Sequence, residues 1–439
     1  LVGSEMCIRD RYDAPDSLDK ILDNALTVWE EQYGTGPSET TLALRFKGIV
    51  QRAVEQTGHR VAILVDEYDK PMLQAIGNEE LQKEYRNTLK PFYGVLKTMD
   101  GYIKLGFLTG VTKFGKVSVF SDLNNLKDIS MRRDYIDICG ITDKELHRYF
   151  DKDLHTLADV QGLDYETVCL EVQKRYDGYH FNFNTPGIYN PFSLLNTFDA
   201  MAFGSYWFAT GTPSYLVYLL KKHHYRLEEI EKVEVTEDVL DSIDSEGTNP
   251  IPVIYQSGYL TIKDYDPEFG LYTLDYPNRE VEEGFVKYLM PFYIDKSEAE
   301  APFEIRRFVG EVRNGNIDGF FHRLQSFFAD APYEVIVGQD PVRNVEVFFQ
   351  NVLFIVFRLA GFYTQVEYHT SRGRIDLVLK TDKFIYVMEF KQGATAEEAL
   401  AQINEKGYAD AFASDSRTLY KIGVSFSDEQ RNIERWLAE

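Results

Sequence analysis

The sequence predicts an α/β fold in two parts: a parallel-sheet core closed by a helical or winged lid, then a compact C-terminal domain with a mixed sheet flanked by helices. Three stretches carry this expectation. Residues 60–69 are a continuous apolar run ending in acids, Arg60-Val-Ala-Ile-Leu-Val-Asp66-Glu67-Tyr-Asp69, the pattern of a strand buried on both faces of a parallel sheet. Apolar runs at 253–262 and 271–276 flank a polar turn at 264–270 and read as the hairpin of a lid. Residues 372–391 read as two apolar strands joined across Thr381-Asp382, a second hairpin. With 439 residues, 44% of them hydrophobic and 14% aromatic, the chain calls for two or three packed domains rather than one core or a disordered chain. The expected division is 1–11 as a non-native artefact, 12–215 as the core, 216–300 as the lid, 301–340 as a helical connector and 341–439 as the C-terminal domain.

Residues 1–11 do not begin with Met and show no periodicity. They resemble translated adapter read-through, which makes the chain an expected N-terminally truncated fragment. Leu18, Ile21, Leu22, Ala25, Leu26 and Trp29 give one apolar helical face over 17–33. Thr35-Gly36-Pro37-Ser38 interrupts it, and a second helix is expected over 38–56. The strand at 60–66 follows, with a further strand at 102–109. Helices are expected at 140–150 and 165–176. An aromatic-rich link is expected at 176–181, and the aromatics of segments 190–195 and 206–215 read as core and helix-entry residues. The chain is acidic from 228 to 246, a linker is expected at 291–302, and helices fill 303–328. The three cysteines, Cys7, Cys139 and Cys169, are too widely spaced for a zinc cluster or a disulfide framework, which fits a reducing cytoplasm. His223-His224 diverge on a helix and suit a surface. No apolar run reaches the ~20 residues of a membrane span, so no membrane partner is expected.

Charge is the odd feature of the second hairpin. Side chains alternate at period two, so Glu389 shares a face with Lys391 and Asp376 one with Arg374. With Lys380 opposite Lys383, Glu389 lies opposite Arg374, and Asp376 and Glu389 are diagonal neighbours about 7–8 Å apart. That spacing lets both reach one hard cation. The same residues also fit salt bridges on a solvated sheet face.

Asp…Glu-x-Lys on a hairpin, preceded by a helix with Glu346 and followed by one with Gln402, resembles the PD-(D/E)xK nuclease superfamily over about 345–436. The resemblance implies that Asp376 and Glu389 ligate Mg²⁺, that Lys391 orients or helps to deprotonate the attacking water, and that Glu346 and Gln402 face the same site. Ile375 stands where the family name has Pro. Lys406 occupies the turn where related enzymes carry Tyr, with Tyr408 two residues later.

The 60–69 strand resembles the Walker B strand of a P-loop-type ATPase, and its surroundings resemble the AAA-ATPase-like family often fused to a PD-(D/E)xK domain. This implies that Asp66 holds the Mg²⁺ of ATP, that Glu67 positions the hydrolytic water, and that Thr109 sits near a sensor position. An acidic turn with Asp66 or Asp69 capping the next helix is the structural alternative. No G-x-x-x-x-G-K-[ST] precedes Asp66. Gly110-Val-Thr-Lys-Phe-Gly115-Lys116 follows the second strand and has Val117 where a Mg²⁺-binding hydroxyl belongs, so the expected P-loop-type sheet is truncated and ATP turnover is not expected. Arg132-Arg133 reads as a solvated turn.

The net charge of −23 argues against broad attraction to nucleic acid. It is uneven, however: residues 340–439 hold 12 Lys/Arg against 15 Asp/Glu. The combined expectation is a Mg²⁺-dependent DNA endonuclease domain coupled to an AAA-type ATPase that uses ATP in the complete protein, with DNA bound at the C-terminal domain. A homo-oligomer or a protein partner is compatible with it. The alternatives are an NTP-driven regulatory or nucleic-acid-binding protein with an inactive nuclease fold, and a plain interaction protein.

Overall fold

The computed structural model describes residues 14–75, 78–111, 125–207, 216, 219–220, 225–241, 249–293, 300–329, 341–361, 365–371, 374–427 and 432–439. Residues 1–11, the Lys113–Lys116 segment and the histidine pair lie outside them. The chain packs as two compact units, Leu1–Cys139 with His180–Thr185 and Glu234–Leu274, and Gly140–Tyr179 with Pro186–Val233 and Asp275–Glu439.

In the first unit, α1 (Ser17–Tyr33) buries Leu18, Leu22 and Leu26, and α2 (Leu42–Thr57) buries Phe46, Ile49, Val50 and Ala53. The second helix begins at Leu42 because Thr41 caps it, its hydroxyl accepting from Leu44 N. Arg45 joins the two helices through Glu30 at 2.8 Å and through Asp23. Strand β1 (Val61–Val65) is followed by α3 (Lys70–Gln74) and α4 (Glu79–Thr98), and pairs in parallel with β2 (Ile103–Leu108). The α4 helix escapes the sequence pattern because Pro91 interrupts it; its buried Leu81, Tyr85, Leu89, Phe92 and Leu96 nevertheless keep helical spacing. Burial of β1 on both faces is not what the structure shows. Val61 and Ile63 are buried, but Leu64 and Leu105 are 53% and 52% exposed, because among the described residues this sheet has two strands.

The second unit opens with α5 (Asp143–Tyr149), α6 (Asp151–Gln161), α7 (Tyr165–Tyr176) and α8 (Pro191–Ala200). Thr142 and Glu145 form a capping box on α5, and Asp164 and Asn190 cap α7 and α8. The chain then returns to the first unit with β3 (Val233–Thr236), α9 (Glu237–Asp241), α10 (Ile251–Gln256), β4 (Thr261–Asp266) and β5 (Leu271–Asp275), whose sheet order is β3-β5-β4. The expected strand at 253–262 is thus half helix: Pro252 sits in the first turn of α10, and only Thr261 onward is strand. The expected linker at 291–302 also begins too early, since α11 (Arg279–Tyr293) carries Pro291 inside it.

After α12 (Ala301–Asn314), α13 (Ile317–Ala329) and α14 (Pro341–Gly361) come β6 (Gln365–Ser371), β7 (Arg374–Lys380), β8 (Phe384–Gln392), α15 (Ala396–Glu405), β9 (Thr418–Ser427) and β10 (Asn432–Ala438). Sheet order is β10-β9-β8-β7-β6, antiparallel except for the β8–β9 pair. Phe390 meets Phe321, Phe357 and Phe426 on one face of this sheet. On the other face Ile385 and Val387 pack with Ile403 of α15, Tyr408 and Phe412. The β8–α15–β9 crossover therefore forms one outer layer of a three-layer sandwich, and α13 and α14 form the other.

Candidate active site in the C-terminal sheet

Covered on both faces, β8 runs buried from Ile385 to Phe390, and Glu389 within it is 0% exposed. Burying a carboxylate is costly unless it is hydrogen-bonded. The bond comes from α15, whose Gln402 donates Nε2–H to Glu389 Oε1 at 2.6 Å. A capping box of Thr395 and Glu398 fixes the start of that helix, and buried Ala399 and Ile403 seat it on the sheet.

The register differs by two residues from the expected one. Lys380 pairs with Ile385, Asp376 with Glu389 and Arg374 with Lys391. The turn closes one pair further along the hairpin: Thr381 N–H donates to Phe384 O at 2.8 Å and Phe384 N–H to the Thr381 hydroxyl at 2.9 Å. Arg417 clamps the corner by donating to Thr381 O at 3.0 Å. A shift of two preserves the faces, whereas a shift of one would invert them. Position 376 is therefore directly opposite Glu389 rather than diagonal to it. Lys391, two residues along β8 and half-buried, lies on the Glu389 face.

The side chains of Glu346 and Asp376 lie outside the described residues. Residue 346 is in the first turns of α14, which packs on the sheet face opposite α15 through Phe349 and Phe357. Tyr408 belongs to the apolar cluster beneath α15. Among the described residues no three His, Cys, Asp or Glu side chains form a metal-holding group. The donor chemistry at positions 376 and 389, carboxylate oxygen alone, is that of a hard cation.

Asp66, Glu67 and Thr109 gather at the ends of β1 and β2. Thr109 N–H donates to Val65 O at 2.8 Å, and Tyr68 N–H to Thr109 O at 3.0 Å. The Thr109 hydroxyl donates to Asp66 Oδ1, which also accepts from Glu67 N–H at 3.0 Å. Glu67 has φ +51°, a left-handed backbone uncommon outside glycine, and its carboxylate pairs with Lys70 at 2.6 Å. Asp69 is 1% exposed and makes no side-chain cap on α3. It accepts instead from Val111 N–H at 3.2 Å. A Cβ at Gly110 would come within 2.6 Å of Asp69 Oδ1, so a larger residue there would have to displace that carboxylate. Of the two arginines read as a solvated turn, Arg132 pairs with Asp134, and Arg133 donates to Phe183 O and lies over its ring.

Glu280 is the residue that the sequence pattern misses, because at the start of α11 it looks like an ordinary first-turn acid. It is 3% exposed. Its Oε1 accepts from Trp207 N–H at 2.9 Å. Tyr176 reaches Gly204 O at 3.0 Å. Tyr176, Ser193, Tyr206 and Trp207 thus lie near one carboxylate, and burial pushes its pKa up.

A three-layer domain with a buried acid on the central hairpin, preceded by a parallel strand pair with acids at its tip, defines the class: an AAA-ATPase-like region joined to a PD-(D/E)XK nuclease domain. The family described as predicted AAA-ATPase matches residues 8–120, and the PD-(D/E)XK nuclease superfamily matches residues 344–436. An uncharacterized protein from the vnfD 5′ region of Azotobacter chroococcum mcd 1 is 33% identical over 441 residues, spanning 98% of this chain and 81% of that protein. The chain belongs to the family that unites these two modules. No solved structure matches it. Among the described residues no helix is long and apolar enough to cross a membrane.

Proposed function

We propose that the C-terminal domain is a Mg²⁺-dependent DNA endonuclease whose cleavage is gated by the ATPase region. The observation that carries the reading is the buried Glu389 carboxylate, held by Gln402, with position 376 directly opposite and Lys391 on the same face. Asp376 and Glu389 would hold Mg²⁺, and Glu346 is the candidate third acid. When bound, the ion supplies the charge that polarises a scissile phosphate. Gln402 fixes which Glu389 oxygen is committed to the protein. Lys391 presents an ammonium to the phosphate oxygens and to the attacking water, orienting that water and easing loss of its proton. In the ATPase region, Asp66 with Thr109 is a Walker B pair for Mg²⁺–ATP, and Glu67 positions water once released from Lys70. The nucleic acid lies on the C-terminal domain; the domain limits given from the sequence, a cytoplasmic setting and a protein partner or second copy belong to the same proposal.

The test is plasmid, duplex and single-stranded DNA incubated with the folded, Mg²⁺-replete protein. Cleavage is expected, with Asp376→Ala, Glu389→Gln and Lys391→Ala each lowering it by at least about 100-fold. Intact DNA under all three conditions overturns the reading. Tight, EDTA-insensitive binding without cleavage would favour a nucleic-acid-binding module with an inactive nuclease fold.

A further inference from the structure

Gly423 of β9 is the parallel-register partner of Glu389, so its missing side chain would stand beside that carboxylate on the α15 face of the sheet. A Cβ at 423 would lie 2.2 Å from Ala396 O, 2.4 Å from Leu400 N and 2.9 Å from Leu400 Cβ. The first two are backbone atoms of α15, which no rotamer change can move aside. The helix therefore rests directly on the strand backbone at this point, and Gln402, two residues beyond Leu400, reaches Glu389 at 2.6 Å.

We propose that Gly423 is a positioning residue: by carrying no side chain it sets the height of α15 above the sheet, and that height places the Gln402 amide on Glu389. Any added atom lifts the helix by a distance comparable to the slack in a hydrogen bond, and bonds of this kind weaken steeply with distance and angle. The proposal deepens the nuclease reading through the same carboxylate, and it is tested by a signal that needs neither metal nor activity.

The first measurement is the side-chain ¹H–¹⁵N resonance of Gln402 in selectively glutamine-labelled full-length protein, assigned by its loss in Gln402→Ala. Glu389→Gln and Gly423→Ala are both expected to move it. An unmoved signal in folded Gly423→Ala overturns the proposal. The second measurement is Mn²⁺ affinity at the site abolished by Glu389→Gln. Gly423→Ala and Gln402→Ala should each weaken it about tenfold, and the double variant should match either single one, because the glycine acts through the glutamine. Losses that multiply overturn the proposal. Wild-type protein with no Glu389-dependent Mn²⁺ site refutes the nuclease reading, and the resonance then decides the positioning role alone. If Gly423→Ala does not fold, Ala399→Val, which enlarges a buried residue under the same helix, must move the Gln402 signal; an unmoved signal there refutes the claim equally.

Discussion

Glu280 shows what a single buried acid does to the pH dependence of stability. Its pKa is raised above the ordinary 4.5 by burial, only partly offset by Ser193 and the Trp207 and Tyr206 N–H groups. The native state therefore holds a proton that the unfolded chain has already released. The associated stability is fully present below about pH 4.5 and is lost as pH rises through the native pKa. Glu231 and Glu282, beside Arg358, are shifted the same way by the same cause. Glu280→Gln keeps an oxygen acceptor for Trp207 without the charge. Relative to the variant, the wild type is expected to lose stability from pH 5 to pH 8 in parallel denaturation curves; a difference independent of pH would contradict this. At this scale legibility was uneven. Glu389 stood out because a charge in an apolar strand demands a reason, and Asp66, Glu67 and Thr109 sat at readable strand ends. Glu280 and Asp69 were hidden, because their partners are backbone groups far along the chain and no local pattern announces them.

At the scale of elements, α14 is buried on every side from Val347 to Phe357, and two polar residues, Gln350 and Asn351, are buried with the apolar ones. Asn351 bridges to a distant segment. Its Oδ1 accepts from Leu227 N–H and its Nδ2 donates to Tyr225 O, both at 2.9 Å. Asn351→Leu keeps the volume and strands both backbone groups, at about 1–3 kcal/mol each. A combined loss of at least 2 kcal/mol is expected from urea titration, and a loss within error of zero would show that the helix and the 225–227 segment separate at little cost. Most helices were readable from spacing and caps. The misses have identifiable causes: Pro91 and Pro291 sit inside helices, Pro252 starts one where a strand was expected, and the Thr381 side chain moves the hairpin register by two. In each case a local rule about proline or turn length yielded to packing and side-chain bonding.

The whole molecule carries −23 charges, and the C-terminal 340–439 stretch has only 12 cations. Arg358, Arg417, Lys421 and Arg435 are already paired with Glu231, Asp415, Glu439 and Glu397. At most eight remain for phosphate. DNA binding should therefore show a slope of log K against log salt no larger in magnitude than about 7, corresponding to about eight or fewer phosphates at ~0.9 each. A slope steeper than about −8 would reveal a basic surface elsewhere. The division into two units, with His180–Thr185 and Glu234–Leu274 returning to the first, rests on long-range contacts that composition does not encode.

The seat of α15 on β9 also bears on how such chains can be recombined. Glu389, Gln402 and Gly423 fall within one β8–α15–β9 passage, so an exchange that moves this passage intact carries acid, amide and glycine together. A hybrid with its breakpoint between Glu405 and Thr418, taking the later strand from a homologue with any side chain at 423, would drive that side chain into the backbone of the resident helix.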